Sequence, residues 1–336
     1  MEKVLVTGIS GYIGTHCAVE LLKNGYSVKG SLRDLSKTKV VIEAIENEIG
    51  SKENLDFCEL NLNEDKGWDD AMSDCKYVLH VASPFINKEP KDENTYIKPA
   101  VEGTKRALIS AKKAGVKRIV ITSSMVAMLE NADKSIDVDS KSWTNIDASN
   151  VSAYAKSKTL AEKFAWEFIK NQKGDSQMEL VVIHPGPVFG PSLSGDFSRA
   201  SLNLIKQMIS GKMPLVPKAA INMSDVRDVA KIHVLSLKNK KANGNRFIVA
   251  TKKPYSFQEI TKILKSNGHE KVSTRLAPNF LLRFISNFDS EAKSMRAFIG
   301  RTYNGDISST LDIFDWEPID LKQTILDTTK PIKKVA

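Results

Sequence analysis

Tyr154 and Lys158 stand four residues apart in the run Tyr154-Ala155-Lys156-Ser157-Lys158. On a helix that spacing puts both side chains on one face. A phenol beside an ammonium makes a proton donor with a tunable affinity. The positive charge stabilises the phenolate and lowers the Tyr154 pKa toward working pH. Ser123 and Ser124 follow a strand-like run over 116–122, at the end where ligands bind in open parallel sheets. A hydroxyl there can hold a substrate oxygen. A tyrosine and a lysine at this spacing occur in many helices by chance, so the pair acquires meaning only from its company.

That company is a glycine-rich turn, Thr7-Gly8-Ile9-Ser10-Gly11-Tyr12-Ile13-Gly14. It follows the apolar run Val4-Leu5-Val6 and opens a helix, the context in which such a motif binds a dinucleotide. Gly8 serves the tight turn, Gly11 a close approach of backbone to pyrophosphate, and Gly14 close packing of helix on strand. Free N–H groups and the positive end of the helix dipole face the anion. Ser10, Tyr12 and Ile13 belong to the same candidate cofactor contacts. The end of the second strand decides between NAD and NADP. An acid there takes the ribose 2′-hydroxyl, whereas an arginine pairs with a 2′-phosphate. Leu32 is followed by Arg33, then Asp34, with Lys37 further on. Two cations outweigh one acid beside a dianion, and the expectation is NADP(H).

The elements that must position these residues alternate strand with helix. The reading gives strands at 4–6, 26–32, 55–60, 77–82, 116–122 and 180–183, with helices at 16–24, 37–49, 68–72, 153–170 and one following Pro99 to Gly115. Such alternation implies right-handed βαβ crossovers and a parallel sheet covered on both faces. Past about Pro191 the regularity weakens into short helices (200–211, 226–237) and a short strand at 246–250. The fold expected is α/β: a Rossmann-type doubly wound parallel sheet with a smaller mixed C-terminal lobe. Residues 1–190 form the cofactor domain, 226–250 return to it, and 191–336 mainly bind substrate.

Composition narrows the classes further. In 336 residues, 41% are apolar and 26% charged, the balance of an ordinary globular protein. No apolar run approaches the length of a membrane span, and the first residues read as a strand rather than a secretory leader. The net charge is +9, from 49 Lys and Arg against 40 Asp and Glu, but the cations are dispersed and no nucleic-acid motif accompanies them. Cys17, Cys58 and Cys75 have neither disulfide nor zinc spacing, which fits a reducing, cytoplasmic setting. The partner expected is therefore a small molecule rather than nucleic acid or membrane.

Taken together, the chain resembles the extended short-chain dehydrogenase/reductases, and within them the dihydroflavonol reductase, cinnamoyl-CoA reductase and NADPH-dependent aldehyde (carbonyl) reductase branch. The resemblance rests on the glycine turn, Ser31-Leu32-Arg33-Asp34, His80-Val81-Ala82-Ser83-Pro84, Pro99-Ala100-Val101-Glu102-Gly103-Thr104, Thr122-Ser123-Ser124, the Tyr154–Lys158 run and His184-Pro185-Gly186-Pro187-Val188-Phe189-Gly190-Pro191. It implies Tyr154 as general acid in carbonyl reduction, Lys158 on the nicotinamide ribose and Ser124 on the substrate carbonyl. It also implies cofactor contacts from Ala82, Ser83, Asn61, Leu62, Pro185 and Val188. Two positions depart from the family pattern: Asn61 stands where an aspartate is usual, and Lys98 where asparagine is common. Ser83, Phe85 and Leu129 are candidate substrate contacts, with Met125, Val151 and Phe189 as further apolar candidates. His184, at a strand end, is a candidate for a pocket role, and His80 reads as strand packing. The family allows a monomer, or a homodimer through the helices of Lys105 and Ala153.

The function expected is NADPH-dependent reduction of an aldehyde or ketone. Alternatives on the same scaffold are a hydroxysteroid dehydrogenase-like activity or a nucleotide-sugar epimerase, since a fold does not dictate its reaction. Arg33 leans against the epimerases, which keep an acid at that strand end. A non-catalytic NADP sensor would be expected to lack Tyr154 or Lys158, and both are present.

Overall fold

The central strands are apolar on both faces because both faces are covered. In the computed structural model, which describes residues 1–84, 90–129, 135–148, 151–174, 177–198, 200–289, 293 and 296–333, the first half runs β1 (Lys3–Thr7), α1 (Tyr12–Lys23), β2 (Ser27–Leu32), α2 (Thr38–Ile49), β3 (Leu55–Glu59), α3 (Trp68–Met72), β4 (Tyr77–His80), α4 (Asn94–Lys113) and β5 (Arg118–Thr122). There follow β6 (Ile136–Val138), α5 (Ala153–Lys170), β7 (Glu179–Pro185), β8 (Val188–Phe189), α6 (Ala200–Ile209), β9 (Ala220–Ile221), β10 (Ser224–Asp225), α7 (Val226–Ser236) and β11 (Arg246–Val249). A seven-stranded parallel sheet has the order β11-β7-β5-β4-β1-β2-β3. The chain leaves β1 in one direction toward β3 and in the other toward β11, so β1 and β4 flank the switch point where a dinucleotide binds.

Strand periodicity sorts the core. Val4 and Val6 of β1 join a cluster with α1, α2 and α7, while Leu5 between them joins one with α3, α4 and α5. A third cluster, including Phe189, Ile205, Met208, Phe257 and Ile260, is the separate core of the C-terminal lobe. Two small sheets stitch that lobe on. One pairs β8 with β10. The other orders Tyr255–Ser256, β9, Thr302–Gly305 and β6. Arg118, only 2% exposed, ties the bottom of the main sheet to the end of α7: its Nη1 donates to Asn239 O at 2.8 Å and its Nε to Glu179 at 2.7 Å.

Most expected elements match within a few residues, and one difference concerns the site. The helix expected after Pro99 begins at Asn94, and Pro99 lies inside it. A proline there leaves one backbone carbonyl a turn earlier without its helical donor. Thr95 and Pro99 both line the central cavity, so the weakened turn faces the site. No helix among the described residues is long and apolar enough to cross a membrane.

Candidate active site

A cavity of about 540 Å³ opens along the carboxyl edge of the sheet, from Arg33 at one end to Tyr154, Lys158 and Leu202 at the other. The glycine turn forms its floor. Gly8 has φ +68°, and a Cβ there would sit 3.1 Å from Ala82. A Cβ on Gly14 would come within 2.3 Å of the Gly8 carbonyl oxygen, so only glycine lets α1 start this close to β1. Gly11 is the N-cap of α1. No side chain caps the helix, and its first turn holds no acid. The free N–H groups and the dipole are thus left to an anion. Around the turn, Thr7 Oγ1 accepts from the Ala82 N–H at 3.0 Å and shares a 3.0 Å hydrogen bond with His80 Nδ1. Burial pushes His80 down to about 3, so it serves as a neutral strut.

The competition between Arg33 and Asp34 is resolved by direction. Arg33 is exposed and lines the cavity, whereas Asp34 turns away to accept from the Ser36 N–H at 2.9 Å, capping a 3-10 turn over Leu35–Lys37. Lys37 is exposed on that turn and does not line the cavity. Asn61 and Leu62 do line it. The Asn61 side chain is already engaged: its Nδ2 donates to Glu64 at 2.6 Å and its Oδ1 accepts from the Asn63 N–H at 3.1 Å. A dinucleotide phosphate fits this end. The cradle is one that side chains would fill, the helix end is uncapped, and the charged side chain reaching it is an arginine.

At the other end, α5 presents Tyr154 and Lys158 to the end of β5. Lys158 is 7% exposed and donates from Nζ to the Thr122 carbonyl at 2.8 Å. Burial takes its pKa down to about 8, against the opposing pull of the Glu162 carboxylate. The Tyr154 hydroxyl is within hydrogen-bonding reach of Ser124. Burial pushes the phenol up to about 12, the Ser124 contact lowers it in part, and Tyr96, whose ring stands edge-on at 6.1 Å, raises it. This corrects the sequence expectation. Desolvation of the phenolate is the largest influence on it, and Tyr154 is held protonated rather than lowered toward neutrality. The arrangement suits a proton donor.

Ser10, Tyr12, Ile13, Ala82, Ser83, Pro185 and Val188 line the cavity alongside the glycines. Leu129, expected on the substrate, lies instead in the core at 4% exposure, where its N–H donates to Thr144 Oγ1 at 2.9 Å. Met125 and Phe189 are core as well. Phe85 lies outside the described residues. Lys98 is exposed on α4 and absent from the lining. His184 is fully buried behind the cavity, hydrogen-bonded to Glu162 at 2.7 Å. The cavity also takes in Thr95, Gly186, Ser201 and Leu202, which the sequence reading missed. Gly186 sits in a motif the reading had noticed. Ser201 and Leu202 carry no sequence signal, since their helix reaches the site only through the tertiary fold.

Set beside known proteins, residues 4–250 match the model of a family described as the NAD dependent epimerase/dehydratase family. The chain is 34% identical over 268 residues to a cinnamoyl-CoA reductase of Medicago truncatula, covering 78% of this chain and 79% of that one. It is 33% identical over 282 residues to an NADPH-dependent methylglyoxal reductase of Saccharomyces cerevisiae, covering 79% and 82%. The crystal structure of the yeast methylglyoxal/isovaleraldehyde reductase complexed with NADPH superposes with a TM-score of 0.79 at 27% identity, over 99% of this chain and 98% of the other. A UDP-glucuronic acid 4-epimerase from Bacillus cereus superposes at 0.75 with 20% identity over 99% and 97%, a likeness of fold alone.

Proposed function

The chain belongs to the NAD dependent epimerase/dehydratase family, the extended short-chain dehydrogenase/reductases, and from that premise we propose that it reduces the carbonyl of a small aldehyde or ketone with Tyr154 as general acid. It is an NADP(H)-dependent oxidoreductase of the reductase branch. The cofactor, when bound, supplies the hydride. The rest is done by the chain's own groups. Residues 1–190, with β11 joined to their sheet, hold the cofactor, and the lobe after 190 closes the substrate side. Gly8, Gly11 and Gly14 give the pyrophosphate its backbone cradle, and Arg33 meets the 2′-phosphate. Ser124 donates to the substrate carbonyl oxygen as negative charge develops on it, and Tyr154 delivers the proton. Lys158, charged below about 8, holds the nicotinamide ribose and favours the phenolate left behind.

The observation that carries this reading is the Tyr154–Ser124 contact at the end of the sheet, with a phenol held protonated at about 12. Such a donor keeps its proton until an oxyanion forms beside it. Among the described residues, those lining this end other than Lys158 are uncharged, Ser83, Pro84, Thr95, Ser124, Tyr154 and Leu202 included. That lining suits a small neutral carbonyl compound. The test is NADPH oxidation against a panel of aldehydes and ketones, with NADH in parallel. Turnover with an NADPH preference is the expected outcome. Tyr154→Phe should lower kcat by about 10²- to 10⁴-fold with NADPH affinity retained. Full turnover in that variant removes Tyr154 from the reaction.

A further inference from the structure

Three consecutive residues at the end of β5 meet three residues of α5 spaced one turn apart. Ser124 reaches the Tyr154 hydroxyl, the Thr122 carbonyl accepts from Lys158 Nζ at 2.8 Å, and Ser123 Oγ donates to Glu162 Oε2 at 2.6 Å. Tyr154, Lys158 and Glu162 fall at i, i+4 and i+8, one face of the helix. The reactive pair is therefore two-thirds of a seam whose third member is a carboxylate.

That carboxylate is 1% exposed and is surrounded by donors. Besides Ser123, it accepts from His184 Nε2 of β7 at 2.7 Å, from Arg246 Nε of β11 at 2.6 Å and from Trp166 Nε1 at 3.2 Å. Arg246 is held in turn. Its Nη1 donates to the carbonyls of Ser140 at 2.9 Å and Ser142 at 2.6 Å, and its guanidinium lies over the Trp143 ring at 3.8 Å. The ends of β5 and β7, the start of β11 and a neighbour on α5 converge on this one side chain, and the loop before α5 holds Arg246 in place. A buried ion pair of this kind gains little stability over an apolar packing, so its charge calls for a use. We propose that Glu162 is a positioning residue of the active site: it keeps Lys158 charged and locks the Ser123–Ser124 end of β5 in register with α5. The proposal rests on the reading of Tyr154 and Lys158 as the reacting pair.

The electrostatics agree. Burial drives Lys158 toward the neutral amine, and Glu162 is the group that opposes it. The other groups facing this pair are His80 from β4, Tyr154 on the same helix, His184, Arg246 and, across Thr122, His233 of α7 at 2.7 Å from the Thr122 hydroxyl. Removing the carboxylate charge leaves Arg246 uncompensated as well, and both changes disfavour the Lys158 ammonium.

The experiment is the kcat–pH profile of the full chain with NADPH and the best carbonyl substrate, for wild type, Glu162→Gln, Glu162→Asp and Tyr154→Phe. In Glu162→Gln the alkaline limb should move down by about one pH unit and kcat fall about tenfold, with KM for NADPH within about twofold. Glu162→Asp, which restores the charge, should bring the limb back. An alkaline limb that stays in place while the melting temperature drops makes Glu162 a structural ion pair and overturns the proposal. If Glu162→Gln does not fold, Ser123→Ala removes a single donor from the same carboxylate. It should lower kcat severalfold at constant KM for NADPH, and unchanged kcat overturns the proposal equally. Tyr154→Phe separates the two readings: activity retained there defeats the catalytic pair itself, whatever Glu162 does.

Discussion

The two ends of the cavity are built on opposite principles. The glycine-turn end is backbone and open charge: a turn of glycines, an uncapped helix and an exposed arginine. The Tyr154 end is buried side chains: Tyr154, desolvated and in contact with Ser124, and Lys158, Glu162 and His184, whose charges act on one another, with Arg246 hydrogen-bonded to Glu162. Backbone N–H groups do not titrate, so the hold on a phosphate proposed for the first end would be independent of pH. The second is where desolvation sets proton affinities, and so where pH and mutation act on the chemistry. Affinity and reactivity are thereby separable in one groove.

The comparison is open to three tests. The largest effect expected is on acid stability, through the buried titratable groups behind the cavity, the His80 strut beside the glycine turn included. Burial takes His80 down to about 3 and His233 to about 4, from an ordinary value of 6.5. In the unfolded chain both histidines protonate first. Their contribution is therefore present above pH 6.5 and lost as pH falls toward 4, on the order of a few kcal/mol each. Glu162, held down to about 2 by His184 and Arg246 against the penalty of its burial, loses its own contribution in the same direction, below its ordinary 4.5. Thermal melts between about pH 7.5 and 4.5 should show a steep fall. A flat profile would mean that the buried histidines are not held neutral in the manner described.

The next effect sharpens the contrast from the phosphate end. Arg33→Ser should weaken NADPH about 10- to 100-fold while leaving NADH and the shape of the kcat–pH profile unchanged. A shifted profile would mean that the two ends are coupled. The smallest effect belongs to Asp34, which caps a local turn instead of facing the cavity. Asp34→Ala should change the ratio of NADPH to NADH affinity by less than about twofold, because an exposed carboxylate turned from the site is screened by water. A large gain in NADPH preference would show that the acid still acts on the ribose.

Much of the main sheet was legible from pattern. Strand runs such as Tyr77-Val78-Leu79 are short continuous apolar stretches, and helices such as α5 carry a period of 3.6; both are local properties. The early start of α4 was not, because Pro99 reads as a boundary and only packing against α5 overrides it. The small sheet containing β6 and β9 was invisible too, since its strands are two to four residues long and joined across about half of the chain. In the site, Tyr154, Lys158 and the glycines stood out by spacing. Glu162 and Arg246 did not, nor did Trp143 and Trp166, which pack on or hydrogen-bond to them.

By itself, the sequence determined what lies within one turn or one crossover: the strand–glycine–helix unit, the shared face of Tyr154 and Lys158, and the alternation that makes the sheet parallel. These follow from backbone geometry, which a short stretch of chain specifies. Tertiary structure decided which way Arg33 and Asp34 point, that Tyr154 sits above rather than below its ordinary proton affinity, and that residues as distant as 162, 184 and 246 share one buried charge. Direction, desolvation and long-range pairing depend on what the folded chain packs against each group, and no local pattern carries that information.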